Sequence, residues 1–155
     1  MTDNKIYWDQ LKKTDPRFTK RINKGFGEIT TIDPQWQIMK MTEVFGPVGV
    51  GWGYKVQYTY TEQLVFAEVS VWTSAATDSY GPVCSVQKLW RKTGALDDEA
   101  PKKAMTDAMT KALSHLGVSA DVFLGMFDNS KYVEKVAAEY KSLNKSKVTE
   151  MKGNT

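Results

Sequence analysis

Two hydrophobic periods divide this chain. In "TIDPQWQIMKMTEVFGP", Ile38, Met41 and Phe45 recur at helical spacing, with Trp36 and Met39 widening the stripe. Asp33 suits the N-cap and Pro34 the first helical position, where a missing N–H is harmless. Gly46 and Pro47 stop the helix. The period then falls to two. In "GWGYKVQYTYT", Trp52, Tyr54, Val56, Tyr58 and Tyr60 share one face of a strand, with Gly53, Lys55, Gln57, Thr59 and Thr61 on the other. A polar turn at 61–63 leads into "LVFAEVSVWTS", apolar on nearly both faces, so a hairpin is expected. After the turn signal "ATDSYG", "GPVCSVQKLW" (81–90) supplies a third strand.

Helical spacing returns after "RKTGALDDEAP". Asp97 or Asp98 is placed to cap a long helix, Pro101 sits in its first turn, and Gly117 closes it. Ala104, Met105, Ala108, Met109, Ala112, Leu113 and Leu116 form its apolar face. A turn in "SADVFLGMF" and a last helix in "SKYVEKVAAEYKSL" follow. The fold class is α+β: a helix, a three-stranded antiparallel sheet, and a long helix packed on it. Three segments are expected: a basic, partly ordered arm (1–31) with a short helix around Trp8–Leu11, a folded domain (32–143), and a disordered lysine-rich tail (144–155).

Charge is uneven. Residues 1–24 hold seven Lys/Arg against three acids (+4), 25–130 eight against twelve (−4), and 131–155 six against three (+3). A basic surface is therefore built from the ends, or from bases gathered on one face of an acidic body. The opening "MTDNKIYWDQLKKTD" has no apolar core of signal-peptide length, and no run approaches the roughly 18 apolar residues of a membrane span. Cytoplasm is the expected compartment, in keeping with the single Cys84.

Several chemistries find no support. The glycine-rich "FGPVGVGWGY" (45–54) runs from helix to strand, the reverse of a phosphate-binding loop, and no G-x-x-x-x-G-K-[ST] occurs. It reads as a joint whose glycines allow close backbone packing. One histidine and one cysteine cannot build a structural zinc site. His115 lies off the apolar stripe with no readable triad, and "DDE" at 97–99 reads as a helix N-terminal cluster. No cofactor is expected. A metal-dependent nuclease using an acid such as Glu62 or Asp98 is the enzyme alternative. What remains is aromatics among bases, as in "KLWRK" (88–92), a mix suited to single-stranded nucleic acid.

The segment "DDEAPKKAMTDAMTKALSHLGVSADVFLGMFDNSKYV" (97–133) resembles the signature of phage single-strand annealing proteins of the Sak type, in the Rad-fifty-two-like superfamily. Ala104, Thr106, Asp107, Ala108, Ala112 and Leu113 match its helix, followed by Gly117 and by Asp128 to Tyr132. "TEVFGPVGVGW" is similar to the family's joint at Glu43, Phe45, Gly46, Gly51 and Trp52, with two extra residues between the glycines. The resemblance covers roughly 32–133. It implies a β-β-β-α core assembling as a homo-oligomer into rings or helical filaments, and ATP-independent binding and annealing of single-stranded DNA. Partners of that kind include a host single-strand binding protein or a phage exonuclease.

The expected phosphate contacts are Lys55, then Lys88, Arg91 and Lys92, then Lys102, Lys103 and Lys111. Where the family carries a basic pair in the long helix, this chain has Thr110 and Lys111; Ser114 and Trp36 replace two further bases. The arm, with Lys12, Lys13, Arg17, Lys20, Arg21 and Lys24, is expected to compensate. A plain single-strand binding protein without annealing activity is the other alternative.

Overall fold

A computed structural model describes residues 3–153. The elements run α1 (Ile6–Leu11), β1 (Thr19–Asn23), β2 (Glu28–Ile32), α2 (Pro34–Phe45), β3 (Trp52–Tyr60), β4 (Leu64–Thr73), β5 (Tyr80–Lys88), α3 (Ala100–Ser114), α4 (Ala120–Phe123) and α5 (Ser130–Gly153). Strands β3, β4 and β5 form an antiparallel sheet in that order, and β1 and β2 a separate hairpin. This is the expected α+β architecture.

Strand β4 is central and alternates strictly. Val65, Ala67, Val69 and Val71 are fully buried, while the residues between them are half-buried. The buried set joins Ala100, Ala104, Ala108, Met109, Ala112 and Leu113 of α3 in one core. Alanine at so many inward positions lets the helix lie close to the sheet, and each fully buried valine contributes roughly 1.5–3 kcal/mol. Register places Tyr54 opposite Val71, Tyr58 opposite Ala67 and Tyr60 opposite Val65, on the helix side of the sheet as the alternation predicts. Helix α3 packs mainly on β4 and β5. The end of β3 is therefore bare, and Tyr58 and Tyr60 are exposed.

The glycine joint works by contact between backbones. The Asp33 carboxylate accepts the Gln35 N–H at 2.9 Å and starts α2. At its other end Gly46 has φ 114°, and a Cβ on Gly51 would stand 1.8 Å from the Phe45 carbonyl oxygen. Two residues on, the Trp72 indole lies over Gly53, filling the space a side chain would take. The α2 stripe differs from expectation at two positions. Gln37 is fully buried and Met39 is exposed, because the inward face runs through 37 and 41.

Both termini depart from expectation. The arm is folded into the domain: Leu11 is fully buried in the core, Trp8 packs on Gly117, and Ser119 and Asp121 donate backbone N–H groups to the carbonyls of Leu11 and Lys12. Its second half is the β1–β2 hairpin. At the other end, α5 continues through the segment expected to be disordered. Lys145, Lys147, Glu150, Met151 and Lys152 in that stretch are residues that hold a helix well once it is started. The outermost two residues at each end lie outside the described residues. Glu99, rather than Asp97 or Asp98, is the residue before α3; Asp97 instead accepts the Glu99 N–H at 3.1 Å.

Candidate nucleic-acid interface

The hairpin and α3 together enclose a groove. Strand β2 supplies one wall through Ile29–Ile32, the polar side of α3 forms the floor through Thr106, Asp107 and Thr110, and Phe123 of α4 closes the far side. Lys102 and Lys103 line it, and its volume is about 680 Å³. Pro34, Lys102, Thr106 and Thr110 also border a smaller cavity of about 220 Å³ between α2 and α3, which reaches Gln37 and Tyr54. Polar groups in this region lack partners: the Thr30 hydroxyl and both ends of the Gln37 amide are buried without a hydrogen bond.

Acids set which lysines are available. Lys103 donates to Asp97 at 2.9 Å, and Arg91 approaches the same carboxylate at 3.7 Å. The hydrogen bond from Lys103 holds the Asp97 carboxyl below the usual carboxylate range, despite some burial. Lys102 stands 3.8 Å from Glu99 and is mostly solvated. Lys111 donates to Asp107 at 2.8 Å, and Ser85 donates to the same oxygen. Burial opposes the charge on Asp107, yet these two hydrogen bonds outweigh it and keep the carboxyl below its ordinary value. The groove floor is thus locally balanced, and at its rim Lys102, Lys103 and Arg91 stand against Glu99, Asp97 and Asp98.

The structure divides the remaining expected bases among other faces. Lys55, opposite Ser70, and Lys88, opposite Leu64, lie on the far side of the sheet, the side away from α3. They do not join the groove. Lys92 is exposed in the loop before α3, beside Arg91. Arg17 is held by Asp15 through contacts as short as 2.7 Å. Arg21 is shared between Glu28 at 3.1 Å and Asp128 at 3.6 Å. Lys20 makes no ion pair among the described residues; with Arg17 it borders a shallow hollow that shares Thr31 and Ile32 with the groove wall. The convergent set is Lys102, Lys103 and Arg91, with Lys111 about two turns further along α3 and Lys20 and Arg17 behind the hairpin.

Sequence reading missed the wall and the far side. Residues 29–31 fall within the expected arm (1–31), Ile32 is the first residue of the expected domain, and Phe123 falls in an expected turn. Neither segment carries a periodicity long enough to mark it. It also missed Lys141 and Lys145 of α5, which with Arg17 border a separate cleft of about 690 Å³.

Glu62 and Asp98 sit apart, in the β3–β4 turn and before α3 respectively. Among the described residues no three His, Cys, Asp or Glu side chains are grouped to hold a metal ion. No described helix is long and apolar enough to cross a membrane. No family model matches the chain, and no curated protein matches it either.

Proposed function

We propose that this protein binds single-stranded DNA without sequence preference and pairs complementary strands, with no nucleotide consumed. The observation that carries this reading is the groove between the β1–β2 hairpin and α3, lined by Lys102 and Lys103, with Arg91 sharing the Asp97 carboxylate with Lys103. Cationic rims attract phosphates, and phosphate contacts position a strand without selecting its sequence. A strand held through its backbone keeps its base edges free for a complement, and pairing then runs downhill. The resemblance of residues 32–133 to Sak-type annealing proteins supports the same reading. It adds a setting in phage recombination, in the cytoplasm of a bacterial host, with a host single-strand binding protein or a phage exonuclease as partner.

Assembly belongs to the proposal. Strands β3 and β5 are both sheet edges, with one row of backbone groups each left unpaired. Such edges invite a further strand, and a second copy of the chain offers one. Exposed Tyr58 and Tyr60 lie beside the β3 edge, ready to be covered by it.

Two measurements on the purified protein test this. Mass photometry should give multiples of 17.5 kDa that grow on adding an oligonucleotide. A fluorescence assay with complementary oligonucleotides should show pairing faster than the spontaneous rate. Binding without acceleration would identify a plain single-strand binder instead. Metal-dependent shortening of the strands would identify a nuclease.

A further inference from the structure

We infer that Phe26, at the tip of the β1–β2 hairpin, is a stacking finger for a nucleobase of the bound strand. The inference rests on the groove reading above and adds a residue that neither the basic pattern nor the resemblance marks.

Phe26 is 83% exposed, the most exposed large hydrophobic side chain among the described residues. Its turn is nevertheless well defined. The Asn23 carboxamide oxygen accepts the Gly25 N–H at 2.8 Å, and the Lys24 N–H donates to the Gly27 carbonyl at 3.1 Å. Gly25 and Gly27 have φ of 85° and 137°, and nothing lies within 4 Å of where their Cβ atoms would be. The ring therefore stands on an ordered turn between two residues without side chains, in open space.

Position and charge say what fits there. Strand β2 is the groove wall, and Phe26 lies three residues beyond Ile29, about 10 Å along the strand direction. A strand leaving the groove along this wall meets the ring next. Lys20 and Lys24 of the same hairpin make no ion pair among the described residues, whereas Arg21 is neutralised by Glu28 and Asp128. An exposed aromatic ring two residues from Lys24, on a hairpin that also carries Lys20, matches one flexible anion that carries flat rings. Stacking uses the face of a base and leaves its pairing edge open, as annealing demands, and it tolerates any base.

Fluorescence anisotropy with a labelled oligothymidylate, over a range of salt, tests the assignment. Phe26→Ala should weaken binding about ten-fold while leaving the slope of log affinity against log salt unchanged, since no phosphate contact is lost. Phe26→Leu should be nearly as weak, because an aliphatic group does not stack. Phe26→Trp should bind like the wild type and show quenching of tryptophan emission beyond that of the wild type on adding the strand. An abasic strand should bind wild type and Phe26→Ala equally.

Three results would overturn the inference while leaving DNA binding in place: wild-type affinity in Phe26→Ala, wild-type affinity in Phe26→Leu, or loss of oligomer mass in Phe26→Ala without DNA. The last would assign the ring to a second copy of the chain. A wild-type protein that ignores the oligothymidylate removes the groove reading and the finger together.

Discussion

The Thr14 hydroxyl donates to the Asp121 carboxylate at 2.7 Å, with both residues buried and 107 positions apart in the chain. The same carboxylate accepts the Thr14 backbone N–H at 2.9 Å, the Tyr132 hydroxyl at 2.8 Å and its neighbour Val122's N–H at 2.8 Å. One acid thus joins the N-terminal segment, α4 and α5. Further along, the Tyr140 hydroxyl donates to the Lys13 carbonyl and Lys13 pairs with Glu139.

Breaking this junction should destabilise the whole domain. Thr14→Val removes a hydrogen bond to a buried carboxylate and should cost roughly 1.5–3 kcal/mol in urea unfolding near neutral pH. The sign of the pH dependence follows from burial, which raises the Asp121 carboxyl above its ordinary value against four opposing hydrogen bonds. A group raised in the folded state contributes stability that is complete below its unfolded value and is lost as pH rises through the folded one. Removing one hydrogen bond raises that value further. The Thr14→Val penalty should accordingly shrink on going from about pH 7.5 to about pH 5; an equal penalty at both would show that the bond does not favour the ionised form. Deletion of residues 1–24 should lower the melting temperature sharply, since it also removes buried Leu11.

Gly51→Ala places a methyl group 1.8 Å from the Phe45 carbonyl oxygen, where backbone cannot give way cheaply. A loss of about 3 kcal/mol or more is expected, at the upper end for overpacking. Gly49→Ala is the control: its φ of 87° strains an alanine, but its surroundings are open. It should cost only about 1 kcal/mol. Denaturant melts of the two variants side by side check the difference.

Charge reversal separates the two faces of the sheet. Lys102→Glu with Lys103→Glu should weaken single-strand binding and flatten its log–log salt slope by about 1.4, as expected for two lost phosphate contacts. Lys55→Glu with Lys88→Glu should change neither, because both lie on the face away from α3. If the second pair proves the more damaging in anisotropy titrations, the far face of the sheet is the DNA surface.

Period and punctuation alone determine much of this protein. Asp33–Pro34 and Gly46–Pro47 bracket α2, alternation marks β3, and the alanine-rich stripe marks α3, because each signal acts over a few residues. The glycine joint was legible too, since only a helix-to-strand order fits its neighbours. Tertiary structure decided the rest. Leu11 and Thr14 sit in a polar, basic stretch, and only their distant partners, the core and Asp121, make that stretch part of the domain. Gln37 reads as a surface residue until α3 lies against α2. Lys55 and Lys88 read like Lys102 and Lys103, and what divides them is which face of the sheet receives a helix. Local patterns record what each segment hides from water. Which segments meet, and so which lysines share a groove, depends on contacts between residues far apart in sequence.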